Sequence, residues 1–270
     1  MAGGTVSFLH SGDMGDIVAG MAAVKEFCER NLVKAQLKLD VTGAWTNPLC
    51  FRQSKGLGMK FGPKQYEFLK PLLEVQPYVA SVEIWEHHQK PILDVDFDLN
   101  GFRNGFCKPW RFETKKNLVY NHQKLLGFQL RYNGPWLTLP GNKPEVKFDE
   151  WLAARSTRYH SSDQIFRKHA YEIKAFVGTE LEFECYKDCL RQFPTYIKTD
   201  TALDLARTIM SYECFVVNGT LAFWIALGLG HPHIINEVGV NVPSTVFRED
   251  ICGLEYAQGS GVKRREELAI

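Results

Sequence analysis

The chain has 270 residues, 45% of them hydrophobic and 13% aromatic, enough apolar material for one large domain or two smaller ones with a sizeable core. A formal net charge of +1 excludes a strong global field for nucleic acid while leaving room for a local basic patch. Seven cysteines without a C-x-x-C pair, no signal segment and no apolar run near the ~20 residues of a membrane helix predict a soluble cytoplasmic protein with reduced thiols and no membrane span.

The first predicted element is a strand ending at His10. Its apolar run stops at Ser11-Gly12-Asp13-Met14-Gly15-Asp16, and helical spacing takes over at Ile17, Met21, Val24 and Cys28. The turn leaves unpaired backbone N–H groups beside two carboxylates, Asp13 and Asp16, where a ligand can meet them; a plain N-capped turn is the other reading. Strand 37–41, helix 63–75 entered at a proline, strand 79–85 and strand 95–99 follow. Helix 117–127 stops at its glycine. Gly134-Pro135, Pro140-Gly141 and Pro144 then mark a domain boundary, giving domains 1–138 and 139–270.

The second half resumes the alternation with strand 151–154, helix 163–170, strand 173–177 and helix 180–190. Asp200 and Thr201 offer N-caps to a helix carrying Leu203, Ala206 and Ile209. Strand 214–217, the turn Asn218-Gly219-Thr220, helix 221–227 and strand 233–235 complete the pattern. Such a rhythm predicts an α/β protein with parallel sheets, which bind ligands beyond the carboxyl ends of their strands. Two such units facing each other form a cleft.

The N–H groups of Gly219, Thr220 and Leu221 suit a phosphate at a helix N-terminus, with a tight capped turn as the simpler alternative. The first turn has Gly-x-x-Gly in place of G-x-G-x-x-G, and no P-loop lysine follows, which disfavours NAD or ATP chemistry. Between residues 100 and 116, basic and aromatic side chains interleave, among them Arg103, Trp110 and Arg111. That mixture suits sugar rings, bases and phosphates, or else forms a loop that packs its aromatics inward. Arg158-Tyr159-His160 reads as a polar cluster at the cleft or as a solvated loop. His87-His88 and His231-Pro232-His233 lack partners at metal spacing and read as surface or capping residues. Cys185 and Cys189 share a helix face without completing a zinc set, which predicts small buried hydrophobes.

Three stretches resemble the lipopolysaccharide heptosyltransferases and their shorter phage-type relatives. They are Ser11 to Asp16 with its helix, Leu203 through Thr220 to Gly228-x-x-His231-Pro232, and Arg155 to His160 with Phe176 to Glu180. The resemblance implies an inverting GT-B glycosyltransferase of hexosyl- or heptosyltransferase type: two Rossmann-like domains face across a cleft, the N-terminal one on the acceptor side and the C-terminal one holding the nucleotide sugar. It implies no essential metal and no cofactor beyond that co-substrate. Asp16 would be the general base, with Asp13 the alternative beside it. Gly12, Gly15, Arg103, Trp110 and Arg111 fall on the acceptor side. Arg155, Arg158, His160, Asn218, Gly219 and Thr220 would meet the leaving diphosphate, and Glu180 the nucleoside.

The chain departs from the family's Asp-Thr-Gly-x-x-His turn, carrying Asn218 and Phe223 at its two polar positions. An amide is no base and a phenyl ring donates no hydrogen bond, which leaves a catalytically silent nucleotide-sugar-binding protein as an alternative. The acceptor would be a glycan or other hydroxyl, or, as a further alternative, a hydroxymethylated base flipped out of DNA. The implied location is the cytoplasm, that of a host if the chain is phage-encoded.

Overall fold

The opening apolar run becomes β1 (Thr5–His10), whose last four residues are all buried, the pattern of a parallel strand covered on both faces. It pairs in parallel with β2 (Lys34–Asp40) on one edge and with β4 (Phe97–Asp98) on the other. β3 (Val79–Trp85) adds to β2, so this sheet runs β3-β2-β1-β4. The computed structural model describes residues 4–41, 61–85, 95–103, 118–128, 134–156, 163–237, 254–258 and 261–262. The chain divides into two compact units, Met1–Thr138 and Leu139–Ile270.

In the first unit, Phe8 stacks on Phe97 with ring centroids 5.4 Å apart and meets Phe27 edge-on at 5.5 Å, which seats the next helix on the sheet. That helix, α1 (Met14–Asn31), buries Ile17, Met21, Val24 and Cys28 as their spacing predicts. It begins ahead of Asp16, because Asp13 is the N-cap and Asp16 occupies the third helical position. α2 (Pro63–Glu74) is tied to β3 by Tyr66 Oη, which donates to the Val82 carbonyl at 2.9 Å. A short 3-10 helix (Leu99–Arg103) and α3 (Leu118–Leu125) follow β4. The last residues of the unit are held by Tyr78 Oη on the Trp136 carbonyl at 2.8 Å and by the Thr138 N–H on Gln76 Oε1 at 2.8 Å.

The second unit is built from β5 (Lys147–Ala154), α4 (Gln164–Lys168), β6 (Ile173–Val177), α5 (Glu180–Leu190), β7 (Thr195–Ile197), α6 (Ala202–Met210), β8 (Tyr212–Asn218), α7 (Leu221–Leu229) and β9 (Ile234–Glu237). β10 (Leu254–Gln258) and β11 (Gly261–Val262) complete a sheet ordered β11-β10-β9-β8-β5-β6-β7, parallel except for β11. Phe166, Phe176, Tyr186, Val216 and Ile235 form its core. α7 is apolar all round and buries every residue from Ala222 to Gly228.

In both sheets the first strand lies inside, the second and third continue outward on one side, and the fourth starts the other side. That is the doubly wound Rossmann order, and it creates a topological switch point between β1 and β4 and another between β5 and β8.

Several local expectations need correction. β5 starts at Lys147 and not at Trp151, since Asp149 has φ 62° and the register against β8 shifts there, so the polar first half shows no apolar alternation. The inward stripe of α6 is Ala202, Leu205, Ala206 and Ile209, with Thr201 as cap; Leu203 falls on its flank. Cys185 is half-buried and Cys189 exposed, because the inward seam of α5 is Tyr186 and Leu190, one residue further round the helix. His231 is 4% exposed and no surface residue: its Nε2–H donates to the Tyr212 carbonyl at 3.1 Å and its Nδ1 accepts the His233 N–H at 3.2 Å. His87 and His88 lie outside the described residues.

Candidate active site

At the switch point of the first sheet, the turn after β1 is fastened to the segment around β4. The N–H and Oγ of Ser7 both donate to Asp96 Oδ2 at 2.8 Å, and these bonds, the backbone one foremost, hold the Asp96 carboxyl below its ordinary range. Four residues later, the N–H and Oγ of Ser11 both donate to Asn100 Oδ1 at 2.8 Å. Gly12 comes next and has no room for a side chain. A Cβ there would stand 2.6 Å from His10 Cε1 and 2.8 Å from Asp16 Cβ. The Asp13 N–H then donates to Asp16 Oδ2 at 3.0 Å, the reaching-back arm of a capping box. Asp16 is thereby 9% exposed and fixed in orientation, while Asp13 and Gly15 are half-buried at the mouth of the turn.

Gly12, Asp13, Gly15 and Asp16 therefore occupy one turn. Arg103 ends the 3-10 helix that leaves β4 on the same sheet edge. Trp110 and Arg111 lie outside the described residues, as does most of the basic and aromatic segment; Asn100, at its start, serves as the fastener of Ser11.

The second switch point repeats the device. Asn218, 1% exposed at the end of β8, accepts the Ser156 N–H on Oδ1 at 2.8 Å and donates from Nδ2 to the Ser156 carbonyl at 3.3 Å. Its amide joins the ends of β5 and β8, a task an aspartate would perform only in part. Phe223 is fully buried and packs edge-on against Trp224.

Arg155 follows β5 and is 2% exposed. Asp163, the residue before α4, grips it as a fork: Nε to Oδ1 at 2.7 Å and Nη2 to Oδ2 at 3.0 Å. Burial opposes the charge on Arg155, but the hydrogen bonds and charge of Asp163, with a further contribution from Glu237, lift the guanidinium above its ordinary range. Glu237 is the register partner of Asn218 on β9. Gly219 and Thr220 open α7, with Thr220 as N-cap. Glu180 begins α5 beyond the end of neighbouring β6, exposed on that same carboxyl edge. Arg158 and His160 lie outside the described residues.

Some buried polar atoms near this edge have no hydrogen-bond partner. They are Nη1 of Arg155, Oγ1 of Thr220, and both ends of the Asn236 amide on β9, and they belong to three neighbouring strand ends. Leaving such a group unmet costs about 1–3 kcal/mol each, so their concentration here is the signature of a site that a polar ligand completes.

Sequence reasoning had no means of finding Asp163, which meets Arg155 only through the fold, nor the pairing of Asn100 with Ser11. Asn236-Glu237 did carry a readable signal: two polar residues close a buried apolar strand at the edge where ligands bind. Among the described residues, no three His, Cys, Asp or Glu side chains converge as a metal site, and no helix is long and apolar enough to cross a membrane.

By sequence the chain matches no protein-family profile and no curated protein. Its fold does match solved structures. A glycosyl transferase family 9 protein from Veillonella parvula superposes with a TM-score of 0.57 at 9% identity, over 97% of this chain and 89% of that one. The E. coli ADP-heptose lipopolysaccharide heptosyltransferase II gives 0.56 at 10% identity, over 94% and 90%. The E. coli heptosyltransferase WaaC with ADP gives 0.50 at 14% identity, over 94% of each chain. The chain thus has the GT-B fold of the heptosyltransferases, with two parallel-strand sheets.

Proposed function

We propose that the chain is a glycosyltransferase that moves a sugar from a nucleotide-sugar donor to a hydroxyl acceptor, with inversion and without an essential metal. The observation that carries this reading is the group of unmet buried polar atoms on Arg155, Thr220 and Asn236, at the carboxyl edge of a Rossmann-ordered sheet. An ADP-linked heptose is the first donor to try, since WaaC is known with ADP and with ADP-2-deoxy-2-fluoro heptose.

In this reading the second unit holds the donor. The diphosphate lies at the N-terminus of α7 against the backbone of Gly219 and Thr220, with Thr220 Oγ1 and Arg155 Nη1 as added donors. Asp163 keeps the guanidinium fork still, so its remaining nitrogen is aimed before the leaving group gains charge. Glu180 meets the nucleoside.

The first unit supplies the base. The Asp16 carboxylate takes the proton of the acceptor hydroxyl as that oxygen bonds to the anomeric carbon, and the bond from that carbon to the diphosphate breaks, releasing a nucleoside diphosphate. Asp16 suits the role better than Asp13, since the Asp13 N–H locks its carboxylate while Asp13 itself serves as the cap.

The test is Asp16→Asn. Turnover should fall by roughly 10²-fold or more, the usual weight of a general base, with donor affinity unchanged. Undiminished turnover would reject Asp16 as the base.

A further inference from the structure

Two histidines that the proposed chemistry does not use lie directly beneath the Asp16 turn. His10 ends β1 and is 2% exposed; His122 sits on α3 and is fully buried. Their Nε2 atoms face each other at 3.1 Å. The outer nitrogens are also engaged. His10 Nδ1 takes the Gly12 N–H at 2.9 Å, and His122 Nδ1 lies 2.7 Å from the Leu118 carbonyl.

These partners determine both tautomers. A backbone N–H only donates, so His10 Nδ1 is bare and its proton is on Nε2. A carbonyl only accepts, so His122 Nδ1 carries a proton and, in a neutral ring, its Nε2 is bare. The two assignments start from opposite ends and agree in the middle: His10 Nε2–H donates to His122 Nε2. A second proton on either ring would set two N–H groups head to head, or set one against the Gly12 N–H. Both rings are therefore neutral and of opposite tautomer.

The packing around the pair is tailored to it. A Cβ at Gly20 of α1 would stand 3.1 Å from His122 Cδ2 and Nε2 and 3.4 Å from His10 Cδ2, so the glycine provides the space for the rings. At the other end the chain of bonds terminates on Gly12, against whose Cα Asp16 rests; a Cβ there would meet Asp16 Oδ2 at 3.0 Å. The line of force runs from the Leu118 carbonyl through His122 and His10 to the Gly12 amide, and so to the carboxylate of Asp16.

We infer that His122 is a positioning residue, which through the neutral His10 holds the Gly12 amide and thereby aims the Asp16 carboxylate. The inference rests on the reading of Asp16 as the base. Its geometry is testable without any turnover.

Nitrogen-15 NMR of the full chain with labelled histidines should show at neutral pH two neutral rings, His10 protonated on Nε2 and His122 on Nδ1. A charged ring, or the reverse tautomers, overturns the inference. Next, His122→Leu removes the acceptor, whereas His122→Gln can still offer its carbonyl oxygen to His10. The Gly12 amide proton should shift on His122→Leu and return towards its wild-type position in His122→Gln. With any nucleotide sugar that the wild-type protein turns over, kcat per folded molecule should fall roughly 10- to 100-fold in His122→Leu, donor KM should hold, and His122→Gln should recover much of the loss. Equal kcat in His122→Leu and wild type overturns the positioning role. The predicted tautomers and Gly12 shift in a protein that turns over no nucleotide sugar would instead count against Asp16 as a base, and leave the arrangement of the pair standing.

Discussion

A buried histidine that uses both ring nitrogens on backbone groups makes a protein acid-sensitive, and His231 is such a residue. Burial, foremost, pushes its pKa down from 6.5 to about 4, against the raising effect of its backbone bonds. The unfolded chain then binds a proton that the folded one refuses between those values. Stability from this group is complete above pH 6.5 and is lost as pH falls towards 4, by on the order of 3 kcal/mol. Denaturant unfolding at pH 7 and pH 4.5 should show a shallower acid loss in His231→Gln than in wild type; identical losses would contradict the assignment. Gly20 offers a second residue-level test. An alanine in a helix interior ordinarily gains about 1 kcal/mol over glycine, but here its Cβ would press on a buried, hydrogen-bonded ring that has nowhere to go. Gly20→Ala should therefore lower the unfolding midpoint, and a raised midpoint would show that the histidine pair yields.

The ends of elements carry the next scale of evidence. α1 closes on Leu32, which is 82% exposed and has φ 53°, a left-handed conformation in which a leucine costs about 1–2 kcal/mol relative to glycine. Leu32→Gly should raise stability by roughly 1 kcal/mol in denaturant unfolding; a loss would mean that this side chain contributes packing that its exposure does not suggest. Elements whose apolar spacing matches their burial, such as α1, β3, β6 and α5, are legible residue by residue in the sequence. β7 is not, for its three residues are exposed or half-buried and take their strand form from pairing with β6. The first half of β5 is hidden for a related reason, since Asp149 turns the strand where the pattern would have to start. The turn at Asp13 and Asp16 was readable as a helix start, but which carboxylate caps it and which is held by it depends on the Gly12 contacts, which only the folded turn creates.

At the scale of the molecule, two Rossmann-ordered sheets each place a fastened turn at their switch point, and the two fastenings use the same chemistry. An asparagine on the fourth strand or just past it accepts the backbone N–H of a serine just past the first, Asn100 with Ser11 and Asn218 with Ser156. The alternation of strands and helices made the sheets predictable, because parallel strands need crossover helices. The asparagine links were not, because the partners lie 89 and 62 residues apart in the chain. The substitution of Asn218 and Phe223 for the more reactive residues of the heptosyltransferase turn thus has a structural explanation: one joins two strands and the other fills the core.

The central claim is that the second unit binds a nucleotide sugar at the start of α7, and Thr220 tests it most directly. Its hydroxyl is buried without a partner and makes no cap hydrogen bond to its own helix, so Thr220→Val removes an unmet polar atom at little cost to the apo protein. Thermal unfolding of wild type and Thr220→Val should be compared alone and with nucleoside diphosphates and nucleotide sugars, ADP-heptose included. A ligand at ~100 Kd should add roughly 2.7 kcal/mol to the wild-type protein. The account predicts a rise in wild-type melting temperature with at least one of these ligands, and a variant as stable as wild type alone but with a smaller rise. No response of the wild-type protein to any nucleotide, or an undiminished response in Thr220→Val, would contradict it.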